Sequence, residues 1–197
     1  MATTNDYMVG VTIGEGAFGR VVYAQHKKTK QEVAIKVANK FTLKKHPDKL
    51  QCILTERRVL EDLKEMDRVV NLWACFHDKE CLYMVQECVR GGDLTNIMKK
   101  ARATDKNWME SSAKHYAMQI LEGLQQIHPH KILHADLKPE NILINGHGHV
   151  VVIDFGTSKD LIHTDLNGPE FVGTPDFMPP EAVNLSLIHL LEPTNLR

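Results

Sequence analysis

The sequence predicts an α+β protein of two lobes, the first β-rich and the second mainly helical. Three observations predict it. Three short runs of strand-like alternation, 7–13, 20–25 and 32–38, come before any helical pattern. A long apolar stripe at helical spacing, Ala113, Tyr116, Ala117, Ile120, Leu124 and Ile127, lies in the second half. Between the two, Gly91-Gly92 interrupts the pattern, so 87–92 reads as a hinge beside a cleft.

Taken in order, the first three runs form an antiparallel meander, with a glycine cluster in the first connection and residues 27–30 in the second. Pro47 suits a first helical turn, and Leu50, Ile53, Leu54 and Leu60 recur at helical spacing up to Leu63. Runs 69–77 and 81–86 read as two more strands. Asp93 can cap a short helix reaching about Lys100. Asn107, with Glu110 three residues on, starts the clearest helix, and His128-Pro129 ends it. Runs 142–144 and 150–153 flank an Asn145-Gly146 turn. From Asp154 the chain reads as loop up to an apolar run at 185–191, and there is no internal repeat.

Composition excludes several function classes. The chain has 197 residues, 43% hydrophobic and 25% charged, with a net charge of -1. That balance gives no basic field for nucleic acid or an anionic membrane. Lys44, Lys45 and Lys49 are interleaved with apolar residues and read as a solvated helix face. Residues 1–7 are polar, unlike a signal peptide, and no stretch approaches the ~20 apolar residues of a membrane span. A cytoplasmic location is therefore expected. The four cysteines, Cys52, Cys75, Cys81 and Cys88, have no CxxC spacing and read as reduced core residues. His130 and His134 have HxxxH spacing without the glutamate of a zinc helix. His147 and His149 flank Gly148, as in a turn.

Gly14-Glu15-Gly16-Ala17-Phe18-Gly19 is a GxGxxG. These glycines join two strands, which disfavours a dinucleotide fold that needs a following helix. Arg20 stands where a Walker loop needs lysine. A flexible hairpin whose N–H groups can lie over phosphates remains. Lys36, in Val33-Ala34-Ile35-Lys36, carries its charge in an apolar strand and needs a partner. Glu56 is the natural one, because Leu60 one turn on marks that helix face as inward. Then comes His134-Ala135-Asp136-Leu137-Lys138-Pro139-Glu140-Asn141, followed by Asp154-Phe155-Gly156. Asp136 can accept a hydroxyl proton, Lys138 can offset charge on a phosphoryl group, and Asn141 and Asp154 can ligate Mg²⁺.

These motifs, in this order, resemble those of the eukaryotic serine/threonine protein kinases from about Tyr7 to Val183. Ile53-Leu54-Thr55-Glu56-Arg57-Arg58-Val59-Leu60 and Met84-Val85-Gln86-Glu87-Cys88-Val89-Arg90-Gly91-Gly92-Asp93-Leu94 resemble helix C and the hinge of the AGC group. Asp154-Phe155-Gly156-Thr157-Ser158-Lys159 and Phe171-Val172-Gly173-Thr174-Pro175 are most similar to the 3-phosphoinositide-dependent kinases within it. The resemblance implies a protein-kinase-like fold: a β-rich N-lobe over 1–88, an incomplete, mainly helical C-lobe over 89–183, and a divergent tail over 184–197. It implies ATP and Mg²⁺ as cofactors. Ile13, the loop from Gly14 to Gly19, Val21, Ala34, Lys36, Gln86, Glu87, Val89, Asp93, Glu140, Asn141, Leu143 and Asp154 would bind nucleotide. Within that set Gln86 would be the gatekeeper, Glu87 and Val89 would offer backbone hydrogen bonds to adenine, and Asp93 would reach the ribose or a substrate arginine. The catalytic set would be Asp136, Lys138, Lys36, Glu56 and Thr174, the last supporting Asp136. Implied partners are protein substrates, including activation loops of other AGC kinases. A partner's hydrophobic tail could dock beside helix C against Leu50, Ile53, Leu54 and Leu82; the alternative is that these four are ordinary core.

Four departures stand against that pattern. Ala135 replaces the arginine of His-Arg-Asp, and Glu170 stands at the phosphorylated position, with Lys159 and Arg57 as its cationic candidates. Together they suggest activation without phosphorylation there; the alternative is drift in a chain no longer under functional demand. Pro179-Pro180-Glu181 replaces Ala/Ser-Pro-Glu, and after Val183 the expected helices do not follow. Three or four apolar residues of the 113–127 stripe left exposed would forfeit roughly 5–12 kcal/mol. The alternative function is therefore a truncated, non-catalytic fragment or pseudokinase that binds nucleotide or docks a partner.

Overall fold

Alternating and β-branched residues build the first three strands, β1 (Tyr7–Gly16), β2 (Gly19–His26) and β3 (Glu32–Asn39), as an antiparallel meander. The computed structural model describes residues 2–16, 19–104, 106–162 and 173–180, and the side chains of 104–109 fall outside that description. β4 (Leu72–His77) and β5 (Cys81–Glu87) complete a five-stranded antiparallel sheet of order β1-β2-β3-β5-β4. β3 and β5 therefore lie inside the sheet, and their register sets what faces the cleft.

Two helices connect β3 to β4. α1 (Lys40–Lys45) has no counterpart among the expected elements. Asn39 creates it, its side chain accepting hydrogen bonds from the Phe41 and Thr42 N–H groups at 2.9 and 3.3 Å. α2 (Pro47–Asp62) follows, with Pro47 in its first turn as expected, and it buries Ile53, Glu56, Val59 and Leu60. Glu56 and Leu60 thus share the inward face that the sequence assigns to them. The expected strand over 69–77 begins only at Leu72. Val69 instead bridges Val152, and the Val70 N–H donates to the Val152 carbonyl at 3.1 Å.

The helical part begins with α3 (Leu94–Thr104), capped by Asp93, whose carboxylate accepts from the Asn96 N–H at 2.7 Å. α4 (Lys106–Ile127) ends in a 3₁₀ turn, His128–His130, with Lys131 left-handed at φ 60°. Asn107, its expected N-cap, has its side chain outside the described residues. β6 (Ile132–Leu133) pairs with β9 (Lys159–Asp160), where the sequence suggests only loop. β7 (Ile142–Ile144) pairs with β8 (Val150–Val152).

The turn between β7 and β8 is wider than an Asn-Gly hairpin. It spans 145–149, closed by Asn145 N–H donating to the His149 carbonyl at 2.8 Å. The Asn145 side chain accepts from the His147 and His149 N–H groups at 2.9 and 3.0 Å. An Asx-type arrangement has therefore replaced the tight turn.

The expected stripe on α4 is rotated. Ile127 is fully buried, and Tyr116, Ile120 and Leu124 pack half-buried against the core, but Ala113 and Ala117 are exposed. The helix is seated instead through Gln119, whose side chain accepts from the Val150 N–H at 2.9 Å and meets the His115 ring at 2.7 Å. Its other side leaves Met118 and Leu121 exposed. One core cluster runs from Leu43, Val59 and Leu60 through Val69 to Val152 and Phe155. A smaller one, centred on Val33, Ile35 and Val85, lies within the sheet. Among the described residues no helix is long and apolar enough to cross a membrane. The calls on Ala17, Phe18, Glu170, Glu181 and the 184–197 tail lie outside the described residues.

Candidate functional site

Lys36 alternates with Ala34 and Ala38 on β3, and the antiparallel register sets these opposite Met84, Gln86 and Leu82 of β5. That face meets α2. The Lys36 ammonium donates to Glu56 Oε1 at 2.5 Å and to Asp154 Oδ1 at 3.2 Å. Burial works to lower the lysine's pKa, but the Glu56 and Asp154 carboxylates outweigh it, so the value is raised and Lys36 stays charged. Glu56 is only 2% exposed. Its Oε1 also accepts from the Gln86 side-chain amide at 3.2 Å. Met84 and Leu82 were legible only through the two-residue alternation that Gln86 already follows.

The opposite wall comes from the segment after β6. Asp136 Oδ1 accepts from the Thr174 hydroxyl at 2.7 Å, and Thr174 accepts from the Lys138 ammonium at 2.6 Å. Lys138 also pairs with Asp136 Oδ2 at 2.8 Å. The Asn141 side-chain amide donates to the Asp136 carbonyl and Oδ2 at 2.9 and 3.2 Å. Burial pushes the Asp136 carboxyl up, but hydrogen bonds from Lys138 and Thr174 prevail and hold it below the usual carboxylate value.

His134 ties this wall to the core. Its ring Nε2 faces the Ile153 carbonyl at 2.9 Å, and Nδ1 accepts from the Asp136 N–H at 3.3 Å. That pair of bonds assigns a neutral imidazole protonated on Nε2. Burial is the main reason its pKa is pushed below the ordinary value. The ring lies 4.8 Å from that of Phe155, which is fully buried. Leu60 is buried in the same cluster, and Leu72 packs half-buried against it.

Between the walls, under the glycine hairpin, lies a cavity of about 490 Å³. Gly14, Glu15, Gly16, Gly19, Val21, Lys36, Glu56, Asp136, Lys138, Asp154 and Thr174 line it, as do Arg20, Val37, Ala38, Ile53, Leu82, Met84, Ile153, Thr157 and Gly173, to which the sequence assigned no nucleotide contact. Gly19 sits at φ 140°, where a Cβ would stand 2.1 Å from the Val37 carbonyl oxygen, so the start of β2 can lie this close to β3 only with glycine there. Gly173, at φ 117°, lets the Thr174 segment approach the Ala135 carbonyl, which a Cβ would meet at 2.7 Å. The Thr157 hydroxyl oxygen is buried without a partner among the described residues.

Ile13, Ala34, Gln86, Glu87, Val89, Asp93, Glu140, Asn141 and Leu143 do not line this cavity. Ile13 is exposed on β1, and Glu87 accepts from the Asn71 side chain at 3.1 Å. The Asp93 carboxylate is taken up by the α3 cap. Of the residues considered for docking beside α2, Ile53 is buried, Leu50 and Leu82 pack half-buried on the core, and Leu54 is exposed. Arg57 pairs with Glu61 at 2.9 Å, while Arg58 reaches Asp160 of β9 at 3.3 Å.

A model of the protein kinase domain matches residues 7–189. The chain is similar to a serine/threonine-protein kinase, sgk-1, of Caenorhabditis elegans, 35% identical over 92% of this chain and 38% of that protein. It is equally similar, at 35% identity, to the serine/threonine-protein kinase PKH2 of Saccharomyces cerevisiae, over 91% of this chain and 17% of that one. Mouse protein kinase C eta type is 35% identical over 86% of this chain and 24% of its own length. The chain thus spans well under half the length of these curated relatives.

Proposed function

The chain belongs to the protein kinase domain family, and from that premise we propose that it binds ATP with Mg²⁺ and transfers the terminal phosphoryl group to serine or threonine hydroxyls of protein substrates. One observation carries this reading: Lys36, Asp154, Asp136, Lys138 and Thr174 converge on a single cavity beneath the glycine hairpin. Its volume falls within the ~300–1,000 Å³ of small-molecule sites. Lys36 holds a phosphate, and Glu56 holds Lys36. Asp136, kept ionised by Lys138 and Thr174, orients the substrate hydroxyl and takes its proton as the new bond forms. Lys138 balances charge on the phosphoryl oxygens.

The donor set fits a magnesium ion. Asp154 is a carboxylate one-third exposed at the cavity wall, and Asn141 donates through its amide nitrogen, which leaves the carbonyl oxygen as a hard ligand. When bound, the ion neutralises phosphate charge. Glu87, Val89, Ala34, Ile13 and Leu143 would frame the base beyond the cavity, with Gly14 at its edge, and Asp93 and Glu140 would lie at the ribose side.

Placement in the AGC group, and likeness there to the 3-phosphoinositide-dependent kinases, rests on the helix C, hinge and Asp154-to-Pro175 motifs. It makes activation loops of related kinases the candidate substrates, Leu54 with its neighbours a docking edge, and the cytoplasm the place of action. A second reading, nucleotide binding or docking without transfer, draws on Ala135, which leaves the catalytic segment without the family's arginine. The test is a thermal shift with Mg-ATP, followed by transfer to a basic serine peptide. Wild type should be stabilised by Mg-ATP and phosphorylate the peptide, and Asp154→Asn should lose ~10²–10³-fold in rate. A shift without transfer selects the second reading, and the absence of any shift ends both nucleotide readings.

A further inference from the structure

We propose that Gln86 is a positioning residue of this site: its buried amide holds the Glu56 carboxylate from the sheet side, so that α2 stays docked while Lys36 engages phosphate. The inference deepens the nucleotide-binding reading and rests on it.

The charges of the cleft make the case. Lys36 is one cation shared by two carboxylates, at 2.5 Å from Glu56 and 3.2 Å from Asp154. Any phosphate entering the cavity competes for the same ammonium. Glu56, almost fully buried, then needs a donor that does not move. Gln86 supplies one. Its side chain is 5% exposed, and its Nε2 lies 3.2 Å from the Glu56 Oε1 that Lys36 also uses. Its backbone is fixed in the sheet interior, opposite Ala34 of β3 on one side and Leu72 of β4 on the other. An amide adds this bond without adding charge to a cluster that already carries one positive and two negative groups. A direct grip on nucleotide is not what this side chain offers, because Gln86 does not line the cavity and its nitrogen is turned toward α2.

The test uses the whole chain with Gln86→Leu, which keeps the apolar bulk, and Gln86→Glu. Two quantities are read: the rate at which an amine-reactive ester acylates Lys36 without nucleotide, and the dissociation constant for Mg-ATP. Loosening Glu56 strips Lys36 of its closest partner and frees its amine. Gln86→Leu should therefore speed acylation and weaken Mg-ATP binding by about 3–10-fold each, the worth of one hydrogen bond. Combined with Glu56→Gln, it should add little further.

Gln86→Glu supplies the signature that a packing role would not. The charged groups around it are Lys36 on β3, Glu56 on α2 and Asp154 beyond β8. At low pH a protonated carboxyl at 86 donates to Glu56, and Mg-ATP binding stays near wild type. As pH rises the two carboxylates repel, and binding should fall. Acylation and affinity in Gln86→Leu within twofold of wild type would overturn the proposal. So would effects of the two substitutions that multiply in full, or a Gln86→Glu profile parallel to wild type. If wild type shows no Mg-ATP shift, the functional reading fails, while the acylation arm still decides the role of Gln86. Should Gln86→Leu not fold, the pH profile of Gln86→Glu decides it.

Discussion

The two walls of the cleft hold similar charges by different means. On the sheet side, Lys36, Glu56 and Gln86 come from β3, α2 and β5, three regular elements whose register was set far from the site. On the other side, Asp136, Lys138 and Asn141 lie within six residues of chain, between β6 and β7, joined by the Thr174 side chain from a distant segment. The first wall is held by packing and backbone ladders, and the second by side-chain hydrogen bonds within a loop. Substitutions on the first wall should therefore cost stability along with activity, whereas those on the second should cost activity almost alone.

The sharpest break of that comparison is Asp136→Asn. It should lower phosphoryl transfer by ~10²–10⁴-fold, measured as kcat on a peptide. Its unfolding free energy should fall by no more than about 1–2 kcal/mol, because one amide oxygen still accepts from Thr174 while only the Lys138 and Asn141 bonds to the other oxygen are lost. A loss of cooperative unfolding would show the loop to be structural. Lys36→Met should behave oppositely. It leaves buried Glu56 without its cation and should cost about 3 kcal/mol in urea unfolding, the low end for a broken buried pair because Lys36 is itself a quarter exposed. A smaller effect concerns His134, which ties the second wall to the core. The folded pKa of His134 is depressed while the unfolded chain keeps about 6.5, so the unfolded state binds the extra proton. Stability is present above that value and is lost as pH falls through it, since a protonated ring would turn Nδ1–H against the Asp136 N–H. In His134→Phe the stability difference between about pH 8 and pH 5.5 should flatten. An unchanged slope would assign the effect to other histidines.

What was legible follows the same division. The second wall could be read almost letter by letter, because its residues are neighbours in sequence. The Lys36–Glu56 pair was also legible, since one apolar strand and one helix face each leave a charge pointing inward. Gln86's bond to Glu56 was not, because it depends on which β5 residue stands opposite Ala34. Nor was the pairing of β6 with β9, two-residue strands 27 positions apart that are too short to show a period. α1 was hidden for the same reason, its six residues carrying no repeat, although Asn39 was a signal in plain sight. On α4 the stripe was legible in Tyr116, Ile120, Leu124 and Ile127, but period counts apolar side chains and so misses the buried amide that also seats the helix, Gln119 reaching the Val150 N–H.

Ala135 and Asp154 are both left-handed, at φ 62° and 65°, a conformation costing an L-residue about 1–2 kcal/mol. Glycine would relieve both. Ala135→Gly should raise the melting temperature with the chemistry intact, whereas Asp154→Gly would trade the same relief for a lost carboxylate. Selection for thermostability alone would therefore accept both changes and discard the proposed metal ligand, so a screen on this scaffold must score turnover alongside heat resistance.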